Sequence, residues 1–165
     1  MTDVLTPAQR RLVMSRIKGR DTKPEIVLRK LLHADGFRYR LHAKGLPGRP
    51  DLVFHRYKAV IFVHGCFWHG HDCPLFRLPS TRREFWETKI QENRKRDQRQ
   101  IIQLTSSGWR CLVVWECSMR GKARHPVEIL LRSCSNFLNS DASLEEISGA
   151  WISRENQKDI PNDNK

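Results

Sequence analysis

Histidine and cysteine residues crowd one short segment, VHGCFWHGHDC, which covers residues 63–73. Three histidines and two cysteines surround an adjacent pair of aromatic residues. Imidazole and thiolate groups are the usual protein ligands of zinc, and imidazole also transfers protons near neutral pH. The segment therefore predicts a metal site, a catalytic site, or both.

A structural zinc site needs four ligands in a tetrahedral arrangement. Cys66, His71 and Cys73 offer three within one loop. The fourth could be Cys117, which ends the segment CLVVWEC, if that strand lies beside AVIFVH. The alternative is a set of small buried thiols with an incidental histidine, since free cysteine is commonly buried.

Three further residues are candidates for hydrolytic chemistry. If zinc takes the four ligands above, His64 and His69 remain available for proton transfer or for contact with a phosphate. Asp51, in GRPD, opens an apolar strand after a proline, which would place a carboxylate at a sheet edge where it can bind Mg²⁺. Each histidine could instead be structural, and Asp51 could be a turn or cap residue.

Aromatic residues beside this loop suggest contact with DNA. Phe67 and Trp68 are adjacent, Trp86 follows downstream, and such rings can be inserted between base steps. The alternative is a small satellite core, and Met14 on the first predicted helix would then also be a core residue. Basic residues around Trp86 alternate with acidic ones such as Asp97, so we interpret that helix mainly as a solvated face.

The charge balance favours a nucleic-acid partner. The chain of 165 residues has 30 Lys and Arg against 18 Asp and Glu, a formal net charge of +12. Such an excess suits a polyanion, because neutralising phosphates releases condensed counterions. Charge alone is also compatible with a soluble basic protein that has no such partner.

Length and cysteine content indicate one intracellular domain. With 39% hydrophobic residues we expect a single domain over residues 1–150, followed by a polar, disordered tail over 151–165. No secretory leader or membrane-spanning stretch is evident, so clustered Cys and His indicate a metal rather than disulfides. We interpret Cys111 and Cys134, in apolar segments, as buried thiols.

The secondary-structure pattern begins with two helices separated by GRD. In the second, Thr22 and Glu25 form a predicted capping box. Its predicted apolar side consists of Ile26, Val27, Leu31 and Leu32. The segments FRYRLH, DLVFHRY and KAVIFVH predict three strands, the last two as a hairpin or as adjacent strands.

The second half predicts a helix, a strand and a closing helix. Another capping box, Thr81 with Glu84, would open a helix that runs to about Thr105. Its predicted buried stripe consists of Phe85, Ile90, Ile101 and Leu104. WRCLVVWEC predicts a buried strand and PVEILLRSCSNFL the closing helix, so the elements run α, α, β, β, β, α, β, α. This order predicts an α/β fold with a mixed β-sheet flanked by helices.

Five motifs together resemble one known family. VMSRIKGRDTKPE, LPGRPDLVF, VIFVHGCFWHGHDC, FWETKIQENRKRD and GWRCLVVWEC, in order from about residue 8 to residue 120, closely resemble the very-short-patch repair endonucleases, Vsr. The resemblance implies a restriction-endonuclease-like fold and Mg²⁺-dependent nicking of one DNA strand, 5′ of the T in a T·G mismatch. Such mismatches arise when 5-methylcytosine deaminates.

The resemblance also implies partners and a location. The substrate would be double-stranded DNA with a T·G mismatch, and the enzyme would accompany a cytosine-5 methyltransferase. A mismatch-repair matchmaker and a repair polymerase would act with it. We expect a monomer in the bacterial cytoplasm, associated with the nucleoid.

Site residues follow from the same resemblance. Asp51 would be the magnesium ligand, with the backbone carbonyl of Val63, and His69 would activate the attacking water. His64 would assist at the phosphate, and Glu25 would complete the acidic side. The wedge inserted into DNA would be Phe67, Trp68 and Trp86, with Met14 entering from the other groove, and a structural zinc would be held by Cys66, His71, Cys73 and Cys117.

Two departures qualify the resemblance. Val63 stands where the family commonly has threonine, a change that a backbone ligand should tolerate. The wider nuclease fold has Glu-x-Lys on the strand where this chain has Phe62, Val63 and His64, so histidine chemistry must replace the lysine. Two other functions stay open: a non-catalytic, zinc-stabilised DNA-binding module, and a ββα nuclease in which the histidine-rich loop holds the catalytic ion.

Overall fold

Four helices and five strands make up the part of the chain that the computed structural model describes, residues 5–151. The helices are α1 (Pro7–Ser15), α2 (Lys23–Ala34), α3 (Arg83–Ser106) and α4 (Val127–Leu138). The strands are β1 (Arg40–Leu41), β2 (Leu52–Phe54), β3 (Ala59–His64), β4 (Arg110–Trp115) and β5 (Leu144–Ile147).

The five strands form one mixed sheet in the order β1-β2-β3-β4-β5. β1, β2 and β3 are antiparallel, whereas β3, β4 and β5 are parallel. The parallel neighbours are connected through α3 and α4, as parallel strands require a crossover. The predicted mixed sheet with flanking helices, the β2–β3 hairpin and the placement of CLVVWEC beside AVIFVH are therefore confirmed.

Both faces of the central strands are buried, so their side chains alternate between two apolar clusters. One face packs on α2 and α4 and includes Leu28, Leu32, Leu52, Phe54, Ile61, Val63, Leu112, Val114, Leu130 and Phe137. The opposite face packs on α3 and includes Val53, Val60, Phe62, Cys111 and Leu104. His64, the last residue of β3, lies with its ring 5.6 Å from that of Phe62, on the α3 face.

The predicted inner side of α2 is wrong in part. Ile26 and Val27 are 38% and 47% exposed, whereas Leu28 and Leu32 are fully buried together with Glu25. The i, i+3, i+7 spacing of these three residues places them on one face, so the charged residue at position 25 lies inside. A prediction that assigns only apolar residues to the buried face of α2 could not include Glu25.

The predicted capping boxes also differ from the structure. Thr22 is the N-cap of α2, but its side chain makes no cap hydrogen bond, and Glu25 accepts instead from the backbone N–H of Asp21 at 2.8 Å. α3 begins after Arg82, which has a left-handed φ of 52° and no side-chain cap, so the predicted Thr81 and Glu84 box is wrong.

β5 was not predicted, and α4 is therefore not the closing element. The strand LEEI is exposed except at Ile147, because it is an edge strand, and its residues lack an apolar alternation. In α3, Phe85 is 47% exposed and Asn93 is buried, so the predicted stripe holds at Ile90 and Leu104 but not at Phe85.

The predicted tail begins at a residue with contacts. Trp151 is half-buried against the cluster of Cys66, Cys73 and Cys117, and the remaining tail residues, 152–165, lie outside the described part. In residues 5–151 no helix is both long and apolar enough to cross a membrane.

The topology brings the candidate residues to one edge of the sheet. The parallel strands β3 and β4 end together, since His64 is paired with Trp115. β2 runs antiparallel to β3, with Leu52 opposite Ile61, so its start at Asp51 lies at the same edge. The loop after His64, the turn that contains Cys117 and the Asp51 carboxylate therefore converge there.

Candidate active site and metal centre

Asp51 is fixed to the neighbouring strand by a backbone hydrogen bond. The N–H of Val63 donates to Asp51 Oδ2 at 2.7 Å, while the Val63 side chain belongs to the apolar cluster below. Burial raises the pKa of Asp51 to about 6, the Val63 hydrogen bond opposes this rise, and the nearby charge of Glu25 adds to it. A half-buried carboxylate in this state lacks full charge compensation, which a bound cation would supply.

Glu25, at the start of α2, is close enough to Asp51 for its charge to raise the pKa of that carboxyl, and it is only 3% exposed. Its Oε2 accepts from the Asp21 N–H at 2.8 Å and from Arg29 Nη2 at 2.8 Å. Its Oε1 accepts from the Thr22 hydroxyl at 3.0 Å. Both oxygens of this buried carboxylate are thus held by groups of the first two turns of α2 and the residues before it.

His64 and His69 stack on one another, with ring centroids 3.8 Å apart and planes 2° from parallel. His69 Nδ1 is paired with Asp97 Oδ2 at a distance of 2.5 Å. Burial and the charge of His69 lower the pKa of His64 to about 3, so its ring is neutral at physiological pH. Burial raises the pKa of Asp97, but the hydrogen bond to His69 and the charges of His69, His64 and Arg96 together outweigh this effect and leave the pKa below its ordinary value.

The histidine pair has the arrangement of a proton-transfer site. A carboxylate on Nδ1 fixes the tautomer of His69 and leaves Nε2 available to accept a proton. The ligand atoms of His64, His69 and Asp97 lie within 4.8 Å of one another, a spacing that could hold a metal ion. The two rings are stacked in parallel planes, however, so their in-plane lone pairs lie in separate planes and do not readily meet at one ion, which favours proton transfer.

A glycine allows this loop to lie close to α3. Gly70 has a φ of +63°, and a Cβ at this position would lie 2.5 Å from Ile90 Cγ2. The Asn93 amide also donates to the carbonyl of Trp68 at 2.8 Å. These contacts bring His69 within reach of Asp97 on the same helix.

The second cluster combines three cysteines with one histidine. The ligand atoms of Cys66, His71, Cys73 and Cys117 all lie within 4.8 Å of one another, so the cluster could bind a metal ion. His71 Nδ1 is 3.6 Å from Cys66 Sγ and 3.5 Å from Cys117 Sγ. Cys117 lies in a 3₁₀ turn directly after β4 rather than in the strand.

The thiols of this cluster differ in the direction in which their pKa values are shifted. Hydrogen bonds from Cys66 and His71, and from the Gly149 N–H at 3.2 Å, lower the pKa of Cys117 to about 4. The adjacent Cys117 and burial raise the pKa of Cys66. The lowered pKa of Cys117 favours its thiolate, which is the ligand form that a metal requires.

The aromatic residues form a half-exposed cluster on the same loop. The Phe67 ring lies 5.1 Å from Trp68 and 5.4 Å from Trp86, between ring centroids. Phe85 extends the cluster at 5.3 Å from Trp86 and is itself 47% exposed. Met14 is 41% exposed on α1, a helix without any buried residue, so its interpretation as a core residue is wrong.

Comparison with known proteins decides the family. The chain is 44% identical over 152 residues to the DNA mismatch endonuclease Vsr of Escherichia coli, an alignment that covers 92% of this chain and 97% of that protein. This chain belongs to the Vsr family. The sequence model of DNA mismatch endonuclease Vsr matches residues 2–75.

Other similar proteins are nicking enzymes. The chain is 50% identical over 119 residues to the type II nicking enzyme V.XorIIP of Xanthomonas oryzae pv. oryzae, covering 72% of this chain and 88% of that protein. It is 44% identical over 123 residues to V.NmeAIP of Neisseria meningitidis, covering 74% and 88%. The Vsr resemblance predicted from the five motifs is confirmed.

Sequence reasoning missed one polar residue of this Vsr site. Asp97 was interpreted as part of a solvated face, but its side chain is 14% exposed and paired with His69. A signal was present, because the positions that face the sheet recur at helical spacing and two of them are polar. They are Ile90, Asn93, Asp97, Ile101 and Leu104.

The remaining cysteines of the Vsr chain lie apart from both clusters. Cys111 and Cys134 are fully buried in the two apolar faces of the sheet. Burial raises the pKa of Cys111 to about 11 and that of Cys134 to about 12. Their interpretation as inert buried thiols agrees with this environment.

Proposed function

We propose that this protein is a DNA repair endonuclease that nicks one strand 5′ of the T in a T·G mismatch by Mg²⁺-dependent hydrolysis. The observation that carries the proposal is the His69–Asp97 pair, with the His69 ring stacked on His64, at the sheet edge where Asp51 lies half-buried. A non-catalytic DNA-binding module has no use for this arrangement. Membership of the Vsr family supports the same conclusion.

Asp51 suits a magnesium ion that also binds the substrate. Mg²⁺ in nucleic-acid enzymes is commonly held by one or two carboxylates together with substrate phosphates. Asp51, with its raised pKa, and the nearby Glu25 provide that negative charge, and the Val63 carbonyl is the proposed third group. When bound, the ion would neutralise charge on the phosphate and the leaving oxygen.

The residues of the chain perform the proton transfer. Nε2 of His69 accepts a proton from a water molecule while the oxygen of that water attacks the phosphorus of the DNA backbone. The bond between phosphorus and the leaving oxygen then breaks. Asp97 stabilises the imidazolium that forms, because its carboxylate remains charged. His64, buried and neutral, packs on the His69 ring, limits its rotation and contacts the phosphate.

Zinc fits the second cluster. Three thiols and one imidazole nitrogen within 4.8 Å match the ligand set of a closed structural zinc site. His71 stacks on Trp115, with centroids 4.1 Å apart, and is committed to this cluster. This placement disfavours the ββα alternative, in which the histidine-rich loop itself would hold the catalytic ion.

DNA would lie across the aromatic cluster and α3. Phe67, Trp68 and Trp86 form the proposed wedge, with Met14 on α1 entering from the other groove. A groove along α3 is lined by Lys89, Lys95, Arg96 and Arg99, which suit backbone phosphates. We further propose a restriction-endonuclease-like fold, a monomer, and a role beside a cytosine-5 methyltransferase in the bacterial cytoplasm.

Strand cleavage of a labelled duplex tests the function. We expect one nick, 5′ of the mismatched T, in a duplex with a single T·G mismatch and in the presence of Mg²⁺. The fully paired duplex, and the mismatched duplex with chelator, should remain intact. Tight mismatch binding without a nick would instead identify a binding module.

Replacing Phe67 by alanine tests the wedge. Unstacking costs a few kcal/mol per base step and less at a mismatch, so the wedge should contribute to discrimination. We expect Phe67→Ala to reduce the ratio of nicking rates on mismatched and paired duplexes by roughly tenfold or more, equivalent to about 1.4 kcal/mol. Leu144→Ala, an exposed residue on the edge strand β5, is the matched control. An unchanged ratio would remove Phe67 from the wedge.

A further inference from the structure

Arg29 on α2 connects three residues around the start of that helix. Its Nη1 donates to Asp21 Oδ1 at 2.6 Å and its Nη2 to Glu25 Oε2 at 2.8 Å. Nη2 also lies 3.1 Å from His42 Nε2. The Arg29 side chain is only 11% exposed, so these contacts are largely shielded from water.

The orientation of the Arg29 guanidinium is set by these carboxylates. Its Nε is buried without a hydrogen-bond partner among the described residues. A buried donor without a partner is unfavourable, and here the hydrogen bonds of Nη1 and Nη2 to the two carboxylates offset that cost. The Arg29 side chain therefore binds the two carboxylates through its terminal nitrogens, while its Nε remains without a hydrogen bond.

Glu25 depends on Arg29 for its only contact with a cation among the described residues. Its other two donors are the Asp21 N–H and the Thr22 hydroxyl, both uncharged. A carboxylate that is 3% exposed needs such a partner to remain charged and fixed in one orientation. Arg29 thereby controls the group that lies near Asp51.

Asp21 extends the network to the N-terminal helix. It lies in the connection between α1 and α2 and has a left-handed φ of 56°, a conformation that non-glycine residues seldom adopt. Arg29 and Glu25 hold its side chain and its N–H, respectively. This connection joins α1, which carries Met14 and has no buried residue, to α2.

We propose that Arg29 is a positioning residue for strand nicking: it holds Glu25 in its orientation near Asp51. The inference rests on the proposed function, in which Glu25 forms part of the acidic site. Lysine cannot replace this role fully, because an ammonium group lacks the planar pair of donors that reaches two carboxylates.

The experiment compares Arg29→Gln and Arg29→Lys with the unsubstituted protein on the T·G duplex. Single-turnover nicking at saturating DNA gives the rate, and a binding titration with chelator gives the Kd for the duplex. We expect Arg29→Gln to lower the rate by about 10²-fold, as a misplaced catalytic group does, with little change in Kd. Arg29→Lys should be intermediate.

Two further variants separate positioning from stability. Arg110→Gln removes an arginine that donates to the carbonyls of Tyr57, Phe137 and Leu138, far from the site. It should lower the Tm and leave the nicking rate of the folded protein unchanged. Adding Arg29→Gln to Glu25→Gln should cause no further loss of rate, whereas adding it to Asp97→Asn should multiply the two losses.

The outcomes distinguish this inference from the proposed function. An Arg29→Gln or Arg29→Lys variant that nicks at the full rate would overturn the positioning role. So would a loss that appears only in the Tm, or one that multiplies with the loss of Glu25→Gln. If Arg29→Gln fails to fold, Arg29→Lys decides alone. An unsubstituted protein that does not nick would refute the proposed function, and this inference with it.

Discussion

Asp51→Asn is expected to abolish nicking while it stabilises the protein. The amide keeps an oxygen that can accept from the Val63 N–H, so the hydrogen bond at 2.7 Å can persist. It has no negative charge with which to hold a cation, and we expect a loss of about 10³-fold or more in nicking rate from the missing electrostatic stabilisation. A single-turnover assay on the T·G duplex measures this loss, and a variant that nicks at a normal rate would disprove the metal assignment.

The expected gain in stability follows from the raised pKa. Asp51 titrates at about 6 in the folded protein against an ordinary value of 3.8, so the folded state holds this proton more tightly than the unfolded state. Stability is therefore lost as the pH rises from about 4 to about 6, and the charged group costs on the order of 3 kcal/mol above that range. Asparagine avoids this cost.

Urea unfolding without magnesium at two pH values checks the sign. At pH 7.5 Asp51→Asn should be more stable than the unsubstituted protein by about 1–3 kcal/mol, and near pH 4 the difference should largely vanish. Magnesium should stabilise the unsubstituted protein at pH 7.5 and leave the variant unaffected. Equal stability of the two proteins at pH 7.5 would show that the Asp51 charge is compensated without a cation.

Cys117→Ser is the second change with a large expected effect. Cys117 lies directly after β4, its ligand atom is within 4.8 Å of those of Cys66, His71 and Cys73, and a serine hydroxyl is a poor zinc ligand. We expect the bound zinc to be lost and the Tm to fall by about 10 °C, since 1 kcal/mol corresponds to about 2–4 °C at this size. Elemental analysis of the purified protein and a thermal scan measure both effects.

Cys134→Ser is the matched control for that experiment. Cys134 is equally buried but lies on α4 in the apolar core, away from the metal cluster. This variant can lose stability through its buried hydroxyl, yet it should keep its zinc. Unchanged zinc content in Cys117→Ser would exclude Cys117 from the site.

The clustering of Cys66, His71, Cys73 and Cys117 was predictable because most of the information for it is local. Cys66, His71 and Cys73 lie within one loop. To place Cys117 beside them, it was enough to predict that the strand before Cys117 pairs with AVIFVH, a pairing that two apolar segments favour. The position of Asp51 could be predicted for a similar reason, since this residue lies at the start of a strand. Neither inference depended on where any helix packs.

Asp97 and Arg29 were not predictable in this way, because their roles depend on tertiary packing. Along α3, Asp97 appears as one charge among many, and only the approach of the loop at Gly70 makes it a partner of His69. Glu25 interrupts the apolar pattern of α2, and the buried face of that helix was therefore predicted at Ile26 and Val27. β5 escaped notice because an exposed edge strand carries little periodic signal.

His69 lies in the chain between two residues of the metal cluster, Cys66 and His71. The backbone folds tightly there, with the His71 N–H donating to the Cys66 carbonyl at 2.9 Å. A metal on those residues would therefore hold the proposed proton acceptor as well as the loop. Under the proposed function, a shortage of zinc or oxidation of these thiols would displace His69 and slow the repair of mismatches.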